Sequence, residues 1–166
     1  MARKKPSKMN TKMRQLITKI NPKSPISEQY RTIRTNIQFA SVDNKIQSLL
    51  VTSSGPGEGK STTTANLAVV YAEAGKKVLL VDADLRKPTV HYTFRLDNLT
   101  GLSNVLVGEN TLDEAANRTD IENLDVISCG PIPPNPSELL ASKKWSNLSV
   151  RQLKVMIWLS LIPHRY

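Results

Sequence analysis

The chain has a single cysteine, Cys129, among its 166 residues. One thiol cannot close an internal disulfide, as expected of a protein kept in a reducing cytosol. Nothing near Cys129 in the sequence would activate it, which argues against a cysteine nucleophile. Aromatic residues are scarce, at 5%. None interleaves the basic residues at the start of the chain, which argues against sequence-specific nucleic-acid binding. Apolar runs are short: none approaches the roughly 20 residues that span a bilayer. The first residues also lack the apolar core of a secretory leader. Internal repeats and low-complexity segments are absent, so a repeat architecture is excluded.

Acids are missing from residues 1–23, which carry Arg3, Lys4, Lys5, Lys8, Lys12, Arg14, Lys19 and Lys23. Those eight cations account for most of the net charge of +9, so the rest of the chain is close to neutral. Met9, Met13, Leu16, Ile17 and Ile20 fall at helical spacing within this arm. Two readings of it stand: a basic amphipathic helix against anionic lipid or an acidic partner, or a solvated leader.

What the chain does contain is Ser54-Gly55-Pro56-Gly57-Glu58-Gly59-Lys60-Ser61, between the apolar run Leu49-Leu50-Val51 and an apolar-periodic helix. Strand, glycine loop, helix is the order of a phosphate-binding P-loop. Glycines let successive backbone N–H groups turn toward phosphate oxygens, and the helix start adds its dipole. The cofactor-binding residues expected are Gly55, Pro56, Gly57, Glu58, Gly59, Lys60, Ser61 and Thr62. Lys60 is placed for the β- and γ-phosphates and Ser61 for Mg²⁺. The strict pattern asks for glycine where Ser54 stands. The second element is Val78-Leu79-Leu80-Val81-Asp82-Ala83-Asp84, an apolar strand ending in two carboxylates. Ligands gather at the carboxyl ends of parallel strands, so Asp82 and Asp84 are expected beside the P-loop as oxygen donors to a hard cation. One of them can take a proton from an incoming hydroxyl.

The remaining pattern predicts a helix over about 26–39 capped by Ser24 and opened by Pro25, and a strand over 47–53. A helix over 61–74 closed by Gly75 and a strand over 77–82 follow. Next come two short helices split at Gly108, a strand over 124–128, and a helix opened by Asn135 and Pro136. Alternating strands and helices make this an α/β layer with a parallel sheet.

The motifs Ser-Ser-Gly-Pro-Gly-Glu-Gly-Lys-Ser-Thr and Val-Asp-Ala-Asp-Leu-Arg-Lys-Pro resemble those of the bacterial protein-tyrosine kinases that accompany capsule and exopolysaccharide synthesis. These are P-loop proteins related to the partitioning and septum-placement ATPases. The resemblance runs from about Ser24 to Lys144. It includes Ser-Pro-Ile-Ser-Glu-Gln-Tyr-Arg-Thr-Ile-Arg-Thr-Asn-Ile and Gly-Pro-Ile-Pro-Pro-Asn-Pro-Ser-Glu-Leu-Leu. It implies a P-loop NTPase-like parallel sheet with flanking helices, incomplete at the C-terminus. It also implies ATP and Mg²⁺ as cofactors and transfer of phosphate to protein tyrosines. Lys60, Asp82 and Asp84 would be catalytic, with Asp82 accepting the proton, and Ser61, Asp82 and Asp84 would hold the metal. Glu28, Arg31 and Arg34 match a pattern that joins subunits into a ring. The cytosolic form of the family is switched on by the cytoplasmic tail of a membrane activator protein, which places it peripherally at the inner face of the membrane. Two alternatives are a ParA/MinD-like positioning ATPase, whose signature lysine would fall at Gly55, and a non-catalytic fragment that only binds partners.

The organisation expected is a basic arm (1–23), a truncated kinase domain (24–144) and a non-family tail (145–166). The family's third motif, an apolar strand with Asp-Thr-Pro-Pro, and its tyrosine cluster are not in the tail. Read one base out of frame, with free choice among synonymous codons, the stretch from Met156 to Arg165 can spell Asp-Met-Val-Ile-Phe-Asp-Thr-Pro-Pro. Met156 followed by Ile157 gives the first Asp whatever the codon. The expectation is a frameshift near codon 144, a missing central strand, an uncovered apolar sheet edge, poor folding and weak or absent phosphate transfer.

Overall fold

The computed structural model describes residues 16–40, 46–55, 57–150 and 155–159. Residues 1–15, which hold most of the basic arm, lie outside it. The described chain begins with a single helical turn, α1 (Ile17–Ile20), and then α2 (Pro25–Phe39). The Ser24 hydroxyl accepts the Ser27 N–H at 3.1 Å, and Pro25 occupies the first helical position, as the sequence predicts. β1 (Ser48–Val51) leads into α3 (Lys60–Glu73), and β2 (Val78–Asp82) into the short α4 (Val90–Phe94). α5 (Leu102–Val107) and α6 (Leu112–Ala115) are separated at Gly108, whose φ of +93° ends α5. Then come β3 (Asn117–Arg118), β4 (Leu124–Ile127), α7 (Pro136–Leu140), α8 (Lys143–Val150) and β5 (Val155–Leu159).

The five strands lie in the order β1-β5-β2-β4-β3. All pairings are parallel except β3 with β4. The expectation of a missing central strand is therefore overturned. The tail itself supplies that strand, with Leu80 of β2 opposite Ile157 and Leu50 of β1 opposite Trp158. The physical reason is in the residues: Val-Met-Ile-Trp-Leu is an apolar run of strand length rich in β-formers, and β1 and β2 leave one strand's width between them. Among the described residues β1 is an edge strand, and its Leu50, on the face opposite Leu49 and Val51, is 51% exposed.

β2 is buried along its whole length, as its continuous apolar sequence predicts. Val78 and Leu80 pack with Val126 of β4 and with Ala65, Val69 and Ala72 of α3. Leu79 and Val81 pack on the opposite face with Ile127, Leu102, Val105 and Leu106. Burying side chains of this size stabilises by roughly 1.5–3 kcal/mol each.

The folded unit reaches further toward the N-terminus than its composition implies. Leu16 joins the core beside α3. Thr18 is fully buried, and both its N–H (3.0 Å) and its hydroxyl (2.8 Å) donate to the Asn66 side-chain oxygen in α3. Asn66 in turn donates to the Thr62 carbonyl at 2.8 Å. Replacing Thr18 with Val should strand part of that buried amide, and a denaturant titration should show a loss of about 1–3 kcal/mol.

A candidate nucleotide and metal site at the end of two strands

The loop after β1 turns through two left-handed glycines, Gly57 (φ +81°) and Gly59 (φ +83°). A Cβ at either would meet no atom within 4 Å but would force a backbone that L-residues rarely adopt. Gly59 is the N-cap of α3, so Lys60 and Ser61 open that helix. Lys60 is 9% exposed, and nothing among the described residues pairs with its ammonium. Ser54 stands where the strict motif has glycine, and its hydroxyl donates to the Glu58 carboxylate at 3.2 Å. The Gly55 N–H donates to the same carboxylate at 3.0 Å. These bonds, that of Gly55 first, hold Glu58 below the usual carboxylate range. Glu58 and Ser54 thus tie the two ends of the loop. Thr62 lies one residue further along the first turn of α3, and Pro56 lies outside the described residues.

Asp82 ends β2 with no exposed surface. One of its oxygens accepts N–H groups from Thr89 and Val90, both at 3.0 Å. The other accepts the Asp84 N–H at 3.1 Å. Burial pushes its pKa up from 3.8 to about 6, against these backbone bonds and with a smaller push from Asp84. Asp84 is 4% exposed and accepts the Arg86 and Lys87 N–H groups at 3.3 and 2.9 Å. Burial, with the two aspartates beside it, holds the Cys129 thiol at about 12, so the cysteine is inert at neutral pH.

Asp82 gives a testable pH dependence. Its folded pKa exceeds the ordinary value of 3.8. The stability it contributes is therefore present below pH 3.8 and lost as pH rises through about 6. In metal-free protein this difference is about 2–3 kcal/mol. Stability measured by urea between pH 4 and 7 should show this component in the native chain. The Asp82→Asn variant should lack it; identical profiles would contradict the assignment.

Sequence reasoning missed Thr89. Its hydroxyl lies 2.8 Å from that of Ser61, while its N–H is held by Asp82, so it joins the P-loop serine to the second motif. A threonine at the N-cap of α4 was the available signal. Of the three residues expected to face a neighbouring subunit, Glu28 and Arg31 pair within the chain, while Arg34 keeps a buried Nε without a partner among the described residues. Arg31 pairs with Glu28 at 2.6 Å and Glu73 at 3.2 Å. Arg34 donates to the Val70 carbonyl at 2.7 Å.

The site suits a metal–triphosphate. A lysine ammonium with no partner among the described residues offers charge to an anion, and the glycine turns leave open space for one. Among the described residues no cluster of three or more His, Cys, Asp or Glu forms a cage. Mg²⁺ is held by one or two protein oxygens plus water and phosphate, which is what Ser61, Asp82 and Asp84 offer.

Known proteins agree with this geometry. The family model described as an AAA domain matches residues 47–132. The chain is 58% identical over 136 residues to the tyrosine-protein kinase YwqD of Bacillus subtilis, covering 82% of this chain and 57% of that protein. It is 51% identical over 127 residues to the putative tyrosine-protein kinase CapB of Staphylococcus aureus, covering 76% and 56%. The chain thus spans just over half the length of these relatives. Among solved structures, the chimerical protein CapA2B2 superposes with a TM-score of 0.81 at 48% identity, over 90% of this chain and 68% of that one. The septum site-determining protein MinD of Pyrococcus horikoshii, solved with Mg-ADP, is more distant. Its TM-score is 0.55 at 28% identity, over 68% of this chain and 48% of that one. The chain belongs to the AAA-domain P-loop proteins and, among them, to the family of the bacterial tyrosine-protein kinases.

Proposed function

We propose that this chain binds ATP with Mg²⁺ and that its site is built to pass the γ-phosphate to protein tyrosines in capsule or exopolysaccharide synthesis. The observation that carries this reading is Lys60, a nearly buried side chain at the glycine turns whose ammonium has no partner among the described residues, on a sheet whose next motif ends in Asp82 and Asp84. The tyrosine oxygen would bond to the γ-phosphorus as the bond to the β-phosphate oxygen breaks, and the phenolic proton would pass to Asp82. Burial raises the basicity of Asp82 in the metal-free chain, the direction a proton acceptor needs. Lys60 would offset charge on the leaving phosphate. Ser61 and Asp84 would hold Mg²⁺, which screens the phosphate charges when bound.

The partners we propose are the cytoplasmic tail of a membrane activator, other copies of the chain meeting at the Glu28–Arg34 face, and protein tyrosine substrates. The chain would then work at the inner face of the membrane. Among the described residues no helix is long and apolar enough to cross a membrane. We read the tail beyond about residue 144 as a shifted frame, which codons incompatible with the shifted spelling would rule out. No third carboxylate joins Asp82 and Asp84 among the described residues, so transfer by this form should be weak or absent.

Titrating ATP into the chain in a calorimeter should give heat that depends on magnesium; none would overturn the reading. A frame-restored chain given labelled ATP should carry label on tyrosine, and phosphate released only to water would exclude the kinase.

A further inference from the structure

The motif Asn135-Pro136-Ser137-Glu138 has no part in the nucleotide site. It builds α7, and Asn135 does not cap that helix with its side chain; its amide donates to Glu138 at 2.8 Å. One side of α7 faces the turn after β2 across a recess of about 240 Å³. We propose that this recess receives the side chain of the acceptor tyrosine, a claim that rests on the kinase reading above and names where its substrate sits.

Three observations converge on a phenol. The first is position. Asp84 is both a wall of the recess and one of the two site carboxylates. The recess opens beside Leu85, which packs on the α5 face of the sheet, whereas α3 with its leading Lys60 packs on the other face. Phosphoryl transfer needs the attacking and leaving oxygens roughly in line. An acceptor entering from the α7 side meets Asp84 from the side away from α3.

The second is shape and polarity. Leu85 with Ala83 on one side, and Pro136 with Leu140 on the other, make apolar walls. A volume below that of most small-ligand pockets suits one ring. A serine or threonine side chain is too short to fill it, so the walls would select tyrosine. The third is the rim. Arg86 spans the opening, its guanidinium donating to the Ser137 hydroxyl at 3.2 Å, and Lys87 beside it is exposed. Two cations at the mouth favour a tyrosine set among acidic residues.

The test is equilibrium binding to the 166-residue chain, with magnesium and a non-hydrolysable ATP analogue present. The probe is a fluorescein-labelled peptide of one tyrosine flanked by glutamates. Ala141 is exposed and lines the recess, so Ala141→Trp fills it without touching the core. The variant should bind the peptide roughly tenfold more weakly, the cost of excluding a ring. Its affinity for a fluorescent ATP analogue should stay within about twofold of the native value. Ser137→Trp, from the other exposed position on the rim, should do the same. The native chain should prefer the tyrosine peptide to its serine counterpart. Equal peptide binding by native and filled chains, equal binding of the serine peptide, or no peptide binding by the native chain would each overturn the slot. A native chain that binds the peptide but no magnesium nucleotide would retain the slot and sink the kinase reading.

Discussion

Replacing Lys60 with Met should weaken magnesium–ATP binding about 100-fold while leaving the chain folded, since a hydrogen-bonded charge on a phosphate contributes roughly 1.5–3 kcal/mol. The native side chain is nearly buried and nothing among the described residues pairs with its ammonium. Its removal therefore leaves no stranded carboxylate behind, and the methionine chain fills similar space. Without nucleotide, thermal stability should be unchanged or slightly higher. With nucleotide and magnesium, the native chain should gain several degrees and the variant none, because a ligand that binds only the folded form stabilises it. A fluorescent ATP analogue measures the first effect and a melting curve with and without ligand measures the second. Equal affinity in the two chains would detach Lys60 from the phosphates and remove the chemical basis of the site.

A change further along the sequence, at Gly101, should be as damaging by another route. Gly101 lies where the chain enters α5 against the end of β4. A Cβ there would fall 2.3 Å from the Gly130 nitrogen and 2.3 Å from the Ser128 carbonyl oxygen. Both are backbone atoms and cannot swing aside. The close approach is held by Leu102 N–H to Ser128 O and Ser103 N–H to Cys129 O, each at 2.8 Å. Gly101 is extended (φ −171°), so it is space and not dihedral freedom that requires glycine. Gly101→Ala should cost at least about 3 kcal/mol, in the extreme range for a single methyl. The chain should be recovered mostly insoluble or melt far below the native form. By contrast Gly75→Ala, at φ +76° with nothing within 4 Å, should cost only about 1 kcal/mol of backbone strain. A Gly101→Ala chain as stable as the native one would mean that α5 sits further from β4 than described.

The parts of this fold that were legible in the sequence are those whose causes are local. Ser24 and Pro25 start α2, Gly75 follows α3, and Gly108 parts α5 from α6, because caps and positive φ depend on one or two residues. β2 was legible because burial on both faces leaves only apolar residues to choose from. The P-loop was legible because its glycines and Lys60 are contiguous. Hidden features depended on distant partners. Thr18 is an ordinary polar residue until Asn66 is placed beside it. α4 contains only five residues, too few to show a period, and begins where Asp82 collects the Thr89 and Val90 N–H groups. The central strand was not legible because the tail's likeness to the family fails there; its apolar residues read as a patch for an exposed edge, whereas Val155–Leu159 pairs in the gap between β1 and β2.

The order of the strands also sets a clock on synthesis. β1 and β2 share no ladder; each is joined to the other only through Val155–Leu159. A ribosome that has just released β2 must still translate to residue 159, roughly 5–15 s at usual elongation rates. During that interval two apolar strand edges stand apart with nothing to zip them together. The emerging polypeptide should therefore depend on a chaperone that shields such edges, and ribosomes stalled before codon 155 should display the chain in a protease-sensitive form that becomes resistant only once those five residues clear the tunnel.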